Sequence, residues 1–221
     1  MTNKISFAIA ITLIAVMIWA SKARAATTVS ELSAAEAQLL KATAIFQYTA
    51  QAGGTSGANS KESILSTTSL LPDVSTDITH SFPETLVLQS DAAGNLAATL
   101  GSGSTLELPI VAGYNALLIQ IHNWNTWLDG VHFEGILVNS VPVRNLFAQG
   151  FSVVATDQIL VKIDSSNGFI LSGNITMPIH EMSGSKDRVE VWGVTVVPEP
   201  SITLLCLVSV ASLFIRNRKT L

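Results

Sequence analysis

Cysteine is nearly absent from this chain. Cys206 is the only thiol in 221 residues, and it sits in an apolar stretch near the C-terminus. The body upstream can therefore form no disulfide, no thiolate metal site and no thiol nucleophile. Charge is scarce too, at 13% of residues. Six of the 12 basic residues cluster at the two ends: Lys4, Lys22, Arg24, Arg216, Arg218 and Lys219. The other six lie between positions 26 and 197 with 15 of the 16 acidic residues, so this body carries a net charge of −9. Such a field repels phosphate backbones and argues against a nucleic-acid partner. Also missing are a nucleophile elbow, a P-loop and a dinucleotide glycine fingerprint. The "GSGS" at 101–104 has no lysine after it and reads as a turn.

Long apolar runs are confined to the ends. At the start, a lysine in "MTNK" precedes "ISFAIAITLIAVMIWA", and small residues follow at Ala23 and Ala25. A basic start, an apolar middle and a small-residue exit describe a secretory signal peptide over residues 1–25. The run is short for a membrane span of ~20 residues, which favours cleavage after Ala25 over a retained anchor. Residues 26–69 are expected to hold a helix and a linker. Ser33 and Glu36 fit a capping box, each able to satisfy an otherwise unpaired backbone N–H. Leu39, Ala42 and Phe46 recur at helical spacing, with Leu32 ahead of the cap. One amphipathic helix is expected over about Ala34 to Gln51, stopped by Gly53-Gly54 and followed by a Gly/Ser-rich loop.

From residue 70 to 197 the pattern changes. "ETLVLQS", "LAATL", "TLELPIVA", "NALLIQIH", "HFEGILV", "QILVKID", "FILSGNITM" and "RVEVWGVTVV" are short, β-branched and separated by turn signals. Repeated short strands of this kind predict a mainly β, jelly-roll-like β-sandwich rather than a βαβ layout. Pro109 and Pro142 belong at strand ends or edges, because proline cannot donate to a ladder. The last segment is apolar on both faces, with Val189 and Val191 on one and Trp192, Val194 and Val196 on the other. It is expected to be a central, covered strand.

The chain ends "VVPEPSITLLCLVSVASLFIRNRKTL". Pro198-Glu199-Pro200 and Ser201 precede an apolar stretch of 14 residues, 202–215, closed by Arg216, Arg218 and Lys219. Two prolines hold the segment extended, a form that fits a protease cleft. The apolar stretch is short for a permanent anchor, and basic residues after it stay on the cytoplasmic side. In this order, at this place, residues 197–221 resemble the PEP-CTERM sorting signal. That resemblance implies a transmembrane sorting helix in an inner-membrane-inserted precursor, and exosortase as the processing partner. It further implies delivery to the cell surface or to an extracellular matrix of exopolysaccharide and biofilm. It covers only the tail and gives no family for the body.

Within the body, "IHNWNTWLDGVHFEG" (121–135) is the most polar-aromatic stretch. Trp124 and Trp127 with Asp129 suit carbohydrate contact, since flat rings stack on sugar C–H faces and polar groups take hydroxyls. The same tryptophans could instead fill the core. His122, His132 and Glu134 lack a metal-ligand spacing, so no metal or cofactor is expected. The sequence thus predicts an exported, non-enzymatic surface or matrix protein. The alternatives are a carbohydrate-binding module using Trp124 and Trp127, and a secreted polysaccharide hydrolase. For the latter, no acid among Asp129, Glu134 and Asp157 stands out.

Overall fold

The computed structural model describes residues 28–52, 60–67, 73–78, 82–109, 113–124, 130–150, 155–177 and 187–197. The expected signal peptide and the tail from 198 lie outside the described residues. Among the described residues no helix is long and apolar enough to cross a membrane.

The protein is mainly β, with two antiparallel sheets and one α-helix among the described residues. The chain begins with β1 (Val29–Glu31), α1 (Ala34–Lys41), β2 (Ala44–Ala52), β3 (Lys61–Ser66), β4 (Val74–Asp77), β5 (Glu84–Ser90), β6 (Leu96–Leu100) and β7 (Leu106–Leu108). It continues with β8 (Ala116–Asn123), β9 (Val131–Val138), β10 (Val141–Pro142), β11 (Leu146–Ala148), β12 (Ala155–Lys162), β13 (Phe169–Thr176) and β14 (Asp187–Val194). Sheet A has the order β1-β12-β8-β14-β2-β3-β4. Sheet B has the order β10-β9-β13-β5-β6-β7, and β11 also pairs with β9. The expected strands at 84–90 and 96–100 form as read, and Pro142 sits on an edge strand.

Alternation explains the packing. In β2 the residues Ala44, Phe46, Tyr48, Ala50 and Ala52 are buried in turn. In β13 the buried set is Phe169, Leu171, Gly173 and Ile175. These faces meet in one apolar core drawn from both sheets. At its centre Phe46 lies edge-on to Tyr114 at 5.3 Å and stacks on Phe169 at 6.3 Å. Gly193 sits opposite Phe46 in the ladder. A Cβ there would fall 2.1 Å from the Phe46 ring, so only glycine admits this approach.

The helix corrects the sequence expectation. It ends at Lys41, not near Gln51. Its capping box forms as expected, with the Ser33 hydroxyl accepting from the Glu36 N–H and the Glu36 carboxylate accepting from the Ser33 N–H. After Thr43, however, Ile45, Phe46, Tyr48 and Thr49 are aromatic or β-branched, and burial alternates with a period of two from Ala44 to Ala52. Residues 44–52 and 61–66 therefore join sheet A. Leu39, assigned to the packing face, is 73% exposed, and Ala37 is the helix residue that is buried.

Strand β14 is the middle strand of sheet A, as its two apolar faces predicted. Its inner residues Val189 and Val191 enter the main core. Its outer residues Trp192 and Val194 join a second cluster with Leu118, Leu160 and the helix residues Ala37 and Leu40. Beyond the strand the chain stays pinned. The Asn115 side chain donates to Val196 O at 2.8 Å and accepts from Val196 N at 2.7 Å. Thr195 Oγ1 donates to Gly113 O at 2.6 Å.

Phe46→Ala should empty the centre of the aromatic trio. A loss of about 3–5 kcal/mol is expected, read as a lower urea midpoint with an unchanged slope. An unchanged midpoint would place the core elsewhere.

Candidate functional site

The two outer faces of the sandwich differ. Sheet A carries α1 on its outer side. The outer side of sheet B has no covering element among the described residues, and its outward residues are exposed or half-buried.

Alternation sends Thr85, Val87 and Gln89 outward from β5, Ala97 and Thr99 from β6, and Glu107 from β7. It sends Ile170, Ser172 and Asn174 outward from β13. Register then sets one transverse row. Glu107 lies opposite Ala97, Ala97 opposite Gln89, and Gln89 opposite Ile170. Asn139, in the turn after β9, extends the row: its Oδ1 accepts from Ile170 N at 2.9 Å and its N–H donates to Ile170 O at 2.8 Å. An open cleft of about 820 Å³ is sunk over this row. Two turns wall it. In one, Asp91 accepts from Asn95 N at 2.9 Å and Asn95 Nδ2 at 2.8 Å. In the other, Asn167-Gly168 passes so close to Ser90 that a Cβ at Gly168 would fall 2.0 Å from the Ser90 carbonyl oxygen. The hydrogen bonds from Asn95 hold the Asp91 carboxyl below the usual range, so it is ionised at neutral pH. At the far edge of the same face, Phe147 lies edge-on to His132 at 5.2 Å.

The covered face holds a different arrangement. Glu190, on β14, is buried at 4% exposure. Lys41 from α1 reaches it at 3.0 Å, Arg188 at 2.8 Å and His122 Nε2 at 3.2 Å. Gln47 Nε2 donates to it at 3.2 Å. Burial pushes the Glu190 carboxyl up, but the His122 hydrogen bond and the Lys41 and Arg188 charges outweigh it and bring it down to about 2. Lys41 also sits 4.7 Å over the Trp192 ring. Beside it, Gln158 Nε2 donates to Leu32 O at 3.0 Å, and Gln120 Nε2 donates to Gln158 Oε1 at 2.7 Å. These bonds fasten α1 and its approach to sheet A, so this cluster is a latch.

The residues singled out in the sequence are dispersed. Trp124 follows β8 directly, is 44% exposed, and its backbone N–H donates to Asp187 Oδ1 at 2.7 Å. Trp127 and Asp129 lie outside the described residues. So do Pro198, Glu199, Pro200, Ser201, Arg216, Arg218 and Lys219. His122 belongs to sheet A, whereas His132 and Glu134 belong to sheet B, so the three do not converge. Asp157 is held in a two-point ion pair by Arg144, at 2.7 and 2.9 Å. Reasoning from sequence missed the cleft row. Its one local signal was the alternation in "ETLVLQS" and "FILSGNITM", which marks Gln89 and Ile170 as outward.

One more buried pair sets a pH response. Tyr48 Oη donates to Glu62 Oε1 at 2.9 Å inside the core. Burial raises the Glu62 carboxyl from its ordinary 4.5 to about 7, against a smaller lowering by the Tyr48 bond. Folding therefore favours protonated Glu62. Its contribution is full below about pH 4.5 and is lost as pH rises through about 7. Glu190 acts in the opposite sense. Its contribution is full above about pH 4.5 and is lost as pH falls towards about 2. Glu62→Gln should remove the decline in melting temperature between pH 5 and pH 8, followed by circular dichroism. A variant with the wild-type slope would assign that decline to another group.

A scan against protein-family models finds no match for this chain, and a search of the curated proteins finds none either. The case for a function rests on the chemistry of the two faces and of the two ends.

Proposed function

We propose that this chain is an exported, non-enzymatic protein of the cell surface or extracellular matrix, with a jelly-roll-like body that contacts exopolysaccharide. The observation that carries the ligand-binding part is the open cleft on the outer face of sheet B, about 820 Å³ and rich in amide side chains. Amides donate and accept at once, as sugar hydroxyls do.

Strand order supports the jelly-roll description. Take β2, β5, β8, β9, β11, β12, β13 and β14 as successive strands one to eight. Sheet A then runs one-eight-three-six from β2 to β12, and sheet B runs two-seven-four-five from β5 to β11. The chain crosses between sheets at each step except from β9 to β11. This order supports a winding of two Greek keys into a jelly roll. Strands β3 and β4 extend sheet A, and β6 and β7 extend sheet B.

The terminal segments support the location. The basic-apolar-small start acts as the export signal. The Pro198-Glu199-Pro200-Ser201 segment, the 14 apolar residues after it and the basic Arg216, Arg218 and Lys219 act as the sorting tail read by exosortase. The apolar segment holds the precursor briefly in the inner membrane, with its basic end inside. A second reading, a carbohydrate module centred on Trp124 and Trp127, is favoured by one observation: Trp124 is 44% exposed rather than buried in the core.

Mass spectrometry of the mature protein from the producing bacterium should find an N-terminus at Ala26 and a C-terminus near the Pro-Glu-Pro triplet. Mature material that runs intact to Leu221 would overturn the processing.

A further inference from the structure

We infer that the sheet B cleft binds a polysaccharide free of acidic groups, laid along the row Glu107-Ala97-Gln89-Ile170-Asn139. The inference rests on the polysaccharide reading above and names the site and the polymer class.

Length comes first. The row crosses β7, β6, β5 and β13 and ends at the turn after β9. At ~4.8 Å per strand interval it spans about 19 Å. That is room for several sugar rings and more than a single metabolite needs. The row starts on β7, an edge strand of sheet B among the described residues, so a chain can enter from that side.

Chemistry comes next. Gln89 and Glu107 are exposed and make no side-chain hydrogen bond among the described residues. Asn139 has committed its Oδ1 to Ile170 N, which leaves its Nδ2 as a donor. Asn167 uses only its Nδ2, in a long 3.4 Å contact to Ser166, which leaves its Oδ1 as an acceptor. A vicinal diol can donate to one such group and accept from the next. Between them Ala97 keeps the floor low, and Ile170, 53% exposed, offers an apolar surface to sugar C–H groups.

Charge then narrows the class. Among the described residues no lysine or arginine lines the cleft, while Asp91 and Glu107 do. A polyuronate would bring carboxylates against two carboxylates with no cation to offset them. Of the basic side chains in the body, Lys41 and Arg188 are spent on Glu190, Arg144 is spent on Asp157, and Lys61 and Lys162 lie on sheet A rather than at the cleft. An acidic polymer thus finds no paired site here, and a neutral one meets only groups that suit hydroxyls.

The test uses the full chain on an array carrying hydroxyethylcellulose, galactomannan and alginate. At least one neutral polymer should bind, and alginate should not. Gln89→Ala and Ile170→Ser, both on the surface, should each weaken neutral-polymer binding about tenfold. Glu107→Lys should admit alginate. Folding of each variant is checked by an unchanged melting temperature. Neutral-polymer binding that survives both cleft variants but is lost in Trp124→Ala would overturn this site and leave the polysaccharide reading standing. Alginate binding by the wild type would overturn the charge argument. Absence of binding to all three polymers would overturn both.

Discussion

Everything in this fold depends on burying β14 from both sides. The strand lies mid-sheet, and its inner face closes the apolar core with Phe46, Tyr48 and the strands of sheet B. On its outer face Trp192 and Val194 would lie in water if α1 did not cover them. No disulfide is available to hold the layers, because the only cysteine is Cys206. Cohesion therefore comes from area removed from water and from a few polar ties. The polar tie that matters is Glu190. A carboxylate in the middle of a covered face is costly unless it is paired, and Lys41, Arg188 and His122 pair it. The helix thus supplies both the apolar cover and one of the cations.

That dependence makes the two faces of the sandwich unequal. Sheet A is closed on its outer side by α1 and by side-chain amides that reach back to Leu32. Sheet B has a polar, half-apolar outer face with no such cover among the described residues. The same alternation that drives Leu86, Leu88 and Leu171 inward drives Val87, Gln89 and Ile170 outward. Core formation and surface display are one event, set by a period of two.

Much of this was legible in the sequence, and the failures have clear causes. Strands β5, β6, β9 and β13 announced themselves by alternation and bounding turns. The central place of β14 followed from apolar residues on both faces. The helix was misjudged because Leu39 and Ala42 are followed by Phe46 and Ala50, which continue a helical period by coincidence. The aromatic and β-branched Ile45, Phe46, Tyr48 and Thr49 argued for a strand, but propensity alone is a weak signal. The ion cluster could not be read at all, since Lys41, His122 and Glu190 come from distant positions. The cleft row was hidden for the same reason: Glu107, Gln89 and Asn139 are neighbours only through register.

The end of β14 has a mechanical meaning. Residues 195 and 196 remain bonded to Gly113 and Asn115 after the ladder stops. A pull on the chain beyond Val197 would be transmitted straight into the strand with partners on both flanks, β8 and β2. Such a load acts along the strand axis, so the two ladders resist it in shear and must fail together rather than unzip one bond at a time. An edge strand in that position would peel. The described body thus ends on its middle strand, where a load is shared between two ladders, rather than on an edge.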